Sequence, residues 1–157
     1  MTGTFEVFDA FSSLKDQTLA LDPLQRTHLI RKSSAERGKQ IFYIHRLIQD
    51  AARRRWTSDE WQVTFSRVVF CMSHVYPHQD KGQSMMKDYG VCIQYNAHML
   101  SLLGHFIDNR DKILPSIEFA EILAHCGWYH YERGQLATAH KILTTAKSIC
   151  DQVVGDK

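Results

Sequence analysis

Between Leu123 and Ala146, small residues stand where two antiparallel helices need them in order to touch. Gly127 and Ala139 leave room for close backbone approach, because helix axes come near only where the contact residues are small. Arg133-Gly134-Gln135 makes the turn between the two helices. Leu123, Cys126, Gly127 and Tyr131 form the inward stripe of the first helix, which Leu143 and Ala146 continue on the second. Pro115-Ser116 opens this hairpin and Val154-Gly155 closes it.

With 157 residues the chain is the size of one domain, or of two small ones. A hydrophobic fraction of 44% with only 3 Pro and 8 Gly indicates a helix-rich core that needs neither disulfide nor metal. No apolar run is long enough to cross a membrane, and Met1-Thr2-Gly3-Thr4 does not begin a secretory signal. Cys71, Cys92, Cys126 and Cys150 are widely spaced in apolar helical stretches, which predicts buried thiols in a reducing compartment, the cytoplasm. A net charge of +2 is too mild to imply nucleic acid.

Phe5, Phe8 and Phe11 follow helical spacing, and Asp22-Pro23 suits the start of a second short helix. The runs His28 to Lys32 and Ile41 to Ile44 flank a polar, Gly-containing stretch, which predicts a β-hairpin. Leu47, Ile48, Ala51 and Ala52 then form one face of a helix ending in Arg53-Arg54-Arg55. Thr57 with Glu60 three residues on is a capping box, and Trp56 and Trp61 are placed as a hydrophobic staple. The helix it opens runs to Val75 with Trp61, Phe65, Val68, Met72 and Val75 inward, and Pro77 ends it. A further helix over 84–107 carries Met85, Tyr89, Cys92, Asn96, Met99, Leu103 and Phe106 on one face. The predicted fold is mainly α: a segment over 1–56 with one β-hairpin, packed as one rigid body on antiparallel helical hairpins over 57–157.

The hairpin over Leu123–Ala146 resembles a tetratricopeptide repeat, a unit of about 34 residues built as one helix pair. Residues 57–107 would be a degenerate preceding pair. The run Leu29-Ile30-Arg31-Lys32, followed by Ile41-Phe42-Tyr43-Ile44-His45-Arg46-Leu47-Ile48-Gln49-Asp50-Ala51, resembles the winged-helix segment of fungal signal-transduction NTPases. Those are NLR-like proteins in which an NB-ARC module precedes tetratricopeptide repeats. The resemblance implies a winged-helix-like N-terminal part and places the chain at the boundary of these two regions. It also matches His45 to a histidine that contacts nucleotide in related receptors, with Arg46 where those have aspartate. No G-x-x-x-x-G-K-[ST] occurs, so the phosphate cradle of the NTPase is missing and no cofactor is expected. The chain is either a piece of a longer protein or a short independent descendant, and Met1 with a helix-terminating tail favours the latter.

Nine histidines invite a metal site, but His125/His130 and His74/His78 lack the spacing and partners of zinc ligands, so no metal is expected. Helical spacing sends Tyr131 one way and Trp128 and Tyr129 another, so part of the Trp128-Tyr129-His130-Tyr131 cluster is free to line a groove, with Asn96, Gln135 and Lys141 at its rim. Arg53-Arg54-Arg55 reads as a solvated helix end, since the preceding helix offers little to base edges. For catalysis there is no triad or nucleophile elbow; His45, Asp50, Tyr95, His98, His130 and Glu132 are the ionisable or phenolic candidates near apolar faces. The leading expectation is a non-catalytic module that binds a protein or peptide in its groove. The alternative is a cofactor-free cyclase or isomerase with an apolar pocket for a hydrophobic small molecule. An uncapped terminal repeat would also leave an apolar edge through which a homodimer forms. Neither nucleic acid nor membrane is an expected partner.

Overall fold

A computed structural model of the chain describes residues 26–27, 30–34, 40–44 and 46–155. The helices expected at 5–15 and at Asp22-Pro23, residues 35–39 of the hairpin tip and His45 lie outside them. The chain separates into two compact units, Met1–Trp56 and Thr57–Lys157. Their described parts are mainly helical, with one two-stranded antiparallel sheet.

In the first unit β1 (Ile30–Ser34) pairs with β2 (Gln40–Ile44), Ile30 lying opposite Ile44 and Ser34 opposite Gln40. The ladder therefore runs two residues past Lys32, because Ser33 and Ser34 continue the pairing that polarity alone assigns to the tip. Helix α1 (Arg46–Arg53) is tied back to β2 by Gln49 Nε2, which donates to the Ile44 carbonyl at 2.9 Å. Leu47 is 69% exposed on α1, so the expected apolar face is not buried as a whole. Arg53 turns back onto Gln49 and Asp50, and Arg54 and Arg55 are exposed.

In the second unit α2 (Ser58–Val75) starts at the expected capping box. The Thr57 amide donates to Glu60 at 2.7 Å and the Glu60 amide to Thr57 Oγ1 at 3.3 Å. Its buried residues are Trp61, Phe65, Val69, Met72 and, just past its end, Tyr76. Val68 and Val75 were expected inward and instead face outward. Both sets keep a helical period; the neighbouring helices cover the line through Val69 and Tyr76, roughly 100° round the helix from Val68 and Val75. A connection over residues 76–88, ending in a single 3-10 turn (Met86–Asp88), leads into α3 (Tyr89–Asp108). Helix α4 (Ile117–Glu132) is capped by Ser116, whose hydroxyl accepts from the Phe119 amide at 3.2 Å. Helix α5 (Leu136–Gly155) follows after a three-residue turn.

Helix α4 is the centre of this unit. Both α2 and α3 make more contact with α4 than with each other, and α4 with α5 is the most closely packed pair. Phe65 of α2, Phe106 of α3 and Phe119 of α4 meet as an aromatic triangle, with centroids 4.9, 5.1 and 5.9 Å apart. Burial on several sides accounts for the wide buried arc of α4, from Phe119 and Ala120 through Ile122, Leu123, Cys126 and Gly127 to Tyr129 and His130. It also reverses two assignments in the aromatic cluster. Tyr129 is in the core against Tyr89, while Tyr131, expected inward beside Gly127, is 56% exposed. Cys92 and Cys126 are buried as expected, but Cys71 is exposed and Cys150 only half-buried.

Gly127 is required by the fit with α5. A Cβ there would lie 2.6 Å from Leu143 Cγ and Cδ2. Gly134, at φ +70°, closes the turn: its amide donates to the Tyr131 carbonyl and the Gln135 amide to that of His130, both at 2.9 Å. This is a Schellman arrangement, which needs a left-handed residue at that position.

Gly127→Ala is expected to cost about 1 kcal/mol, because displacing Leu143 outweighs the gain in helix propensity. Combining it with Leu143→Ala should cost less than the two single changes summed. Urea unfolding of all four proteins in a double-mutant cycle reads this, and strict additivity would show that the two side chains do not compete.

Candidate functional site

The last two turns of α4 send successive side chains into separate polar networks. His130 is 2% exposed, yet both of its ring nitrogens are partnered. Nε2 meets Asn96 Oδ1 of α3 at 2.8 Å, and Nδ1 lies close against the Gln135 amide of the turn. A neutral imidazole has one N–H and one lone pair, so one amide presents its oxygen and the other its NH2. In a Schellman turn the residue after the glycine usually packs an apolar side chain on the helix; here Gln135 makes a hydrogen bond to His130 instead. The turn, α3 and the end of α4 are thereby fastened at one buried ring.

Over this ring lies an open trough of about 640 Å³. Its walls include Asn96 and Leu100 of α3, His130, Gln135, and Leu136 and Thr138 in the first turn of α5. The first amides of any helix lack partners within it, so this wall also offers backbone donors. Leu136 is 61% exposed there.

Glu132 organises the second network. It accepts from the Met85 amide at 3.0 Å, from Tyr89 Oη at 3.1 Å and from Trp128 Nε1 at 3.0 Å. Desolvation raises its pKa, but hydrogen bonds from Met85, Trp128, Tyr89 and Ser84 outweigh this and hold the carboxyl below its usual range. The same contacts raise the Tyr89 phenol, through desolvation first and then Glu132. Arg133 covers both Tyr89 and Tyr129, its guanidinium 5.8 and 6.0 Å from their ring centroids.

A third cluster pairs histidines that are distant in sequence. The rings of His78 and His125 stack with centroids 4.6 Å apart and planes at 25°. In the core, the Tyr76 hydroxyl is buried without a regular hydrogen bond, beside the thiols of Cys92 and Cys126. Burial raises all three, Cys126 to about 11, which disfavours the thiolate form of both cysteines.

Of the residues expected at the groove, Asn96, His130 and Gln135 are brought together. Trp128 bonds Glu132 and lies 5.9 Å from Tyr131, ring to ring; Tyr129 is in the core; Lys141 is exposed on α5 and does not line the trough. The catalytic candidates do not converge. Asp50 pairs with Arg46 and Arg53 in the other unit. Tyr95 and His98 sit 6.3 Å apart, ring to ring, on α3, and His130 and Glu132 serve different networks. Leu136 and the His78–His125 stack were missed, because only the tertiary fold brings their surroundings together. Among the described residues no group of three or more His, Cys, Asp or Glu is arranged to hold a metal, and no helix is long and apolar enough to cross a membrane.

No protein-family model, curated protein or solved structure significantly matches the chain.

Glu132→Gln is expected to lower stability at pH 7 by about 1–2 kcal/mol, through weakened bonds to a formerly charged acceptor. A carboxyl with a depressed pKa stabilises the fold above the unfolded value of 4.5 and loses that contribution as pH falls below it. The wild-type protein should therefore lose more stability between pH 5 and 3 than the variant, as read by urea unfolding. Equal slopes would show that Glu132 is not held as the anion.

Proposed function

We propose that this chain is a non-catalytic interaction module that binds a short segment of a partner protein in the trough beside α3, α4 and α5. The carrying observation is the trough itself: an open recess in which exposed Leu100 and Leu136 provide apolar contact beside the amides of Asn96 and Gln135. Its wall is pre-organised, since the buried His130 ring fastens α3 to the α4–α5 turn. A preformed site limits the ordering cost of binding.

The lineage that best accounts for the order of elements is the fungal NLR-like NTPases, with the hairpin and α1 as a winged-helix remnant and α4–α5 as a tetratricopeptide-like pair. Support comes from the Leu29–Lys32 and Ile41–Ala51 runs and from the close fit at Gly127. Four cysteines without a disulfide suit a cytoplasmic setting. A cyclase or isomerase is less well supported. It needs an enclosed apolar chamber around an ionisable group, whereas the trough is open and its histidine is held on both nitrogens.

Peptides selected from a random display library on the wild-type protein should bind Leu136→Glu and Leu100→Glu at least tenfold more weakly. Leu114→Glu, at an exposed leucine outside the trough, should leave binding unchanged. Selected peptides that ignore both trough substitutions, or a library that yields none, would overturn the reading.

A further inference from the structure

The connection over residues 76–88 crosses α4 and is fastened to it at two points. At one, the Gln79 amide donates to His125 Nδ1 at 3.0 Å. At the other, the Met85 amide donates to Glu132. His125 and Glu132 are seven residues apart, two helical turns, and therefore share a face of α4. Between the two points the backbone turns sharply, with Lys81 at φ +45° and Gly82 at φ +77° and the Gln83 amide donating to the Asp80 carbonyl at 2.8 Å. Gln79 Nε2 braces this turn through the Asp80 and Gln83 carbonyls.

Each fastening depends on a protonation state. Glu132 accepts best as the anion. His125 Nδ1 accepts from the Gln79 amide only while it carries a lone pair, so its proton resides on Nε2. His78 Nε2 lies 2.8 Å from the Ser73 carbonyl, so that nitrogen carries a proton and donates. Its ring then stacks on His125. A second proton on His125 would remove the acceptor, orphan the Gln79 amide and set a cation against the neighbouring ring.

We propose that residues 76–88 form an acid-released strap, latched to α4 by the neutral His125 ring and freed at its Gln79 end when that ring is protonated. The groups acting on His125 are its own burial and His78 of the strap, which both oppose protonation, and Glu121 one turn earlier on α4, which favours it. Their balance lowers its pKa below the ordinary 6.5. A histidine so lowered costs the latched state nothing above about pH 6.5 and penalises it increasingly as pH falls below that value. Glu132, held below the usual carboxylate range, stays ionised at pH 5, so the Met85 end remains fastened while the Gln79 end opens. Release is thereby local and leads into the start of α3, whose Asn96 forms part of the trough wall.

Amide hydrogen exchange followed by NMR between pH 7.5 and 5.0, corrected for intrinsic rates, tests the latch. Gln79 protection should fall towards tenfold per pH unit below about 6.5, while Met85 protection changes less than about threefold. His125→Leu should show low Gln79 protection at both ends of the range. The imidazole nitrogen shifts of the wild-type protein provide a second readout that needs no variant: His125 should hold its proton on Nε2 and titrate below 6.5. Gln79 protection that is independent of pH, a His125→Leu protein that keeps the wild-type pH response, or a His125 that titrates above 6.5 would each overturn the proposal.

Discussion

The second unit depends on α4 being covered on several sides at once. Gly127 admits α5 on one side, and Phe119 meets Phe65 and Phe106 on another. Because α2 and α3 pack less on each other than on α4, they are held in place through it. Apolar burial of this kind sets where the helices lie but is non-directional. Direction comes from the polar groups at the C-terminal end of α4.

There, three consecutive functions are separated by the geometry of one helix. His130 points to α3 and the turn, Glu132 to the strap and Trp128, and Tyr131 to solvent. Residues one or two apart on a helix do not face each other, so adjacent ionisable groups need not form one site. This explains why neighbouring His, Glu and Tyr side chains of one segment enter separate networks. The ring of His130 and the carboxylate of Glu132 serve as fasteners, and a buried polar group is tolerated in such a place only because its hydrogen bonds are made.

The fasteners also differ in what they respond to. Contacts of Phe65, Phe106 and Phe119 are indifferent to proton concentration. The bond to His125 needs a neutral imidazole, and those to Glu132 are strongest with the ionised carboxyl. Apolar and polar contacts thus occupy different layers of the same helix: a buried aromatic layer towards its N-terminal half, and hydrogen-bonded groups from His125 onward.

Much of this was legible in the chain. The capping box at Thr57 and Glu60, the turn at Gly134 and the tight fit at Gly127 are local or short-range features, decided by propensity, left-handed backbone and side-chain volume. The inward stripe of α3 from Cys92 to Phe106 followed from its period, and so did the mainly helical class. Met85, expected on the same helix, lies in the connection before it. Tyr131, Val68 and Val75 were misplaced because periodicity identifies apolar lines on a helix, not which line a neighbour will cover. Pairings such as His78 with His125, Met85 with Glu132 and Asn96 with His130 span 34 to 47 residues. Such contacts arise only after the helices have docked, so the trough and the strap belong to the tertiary structure alone.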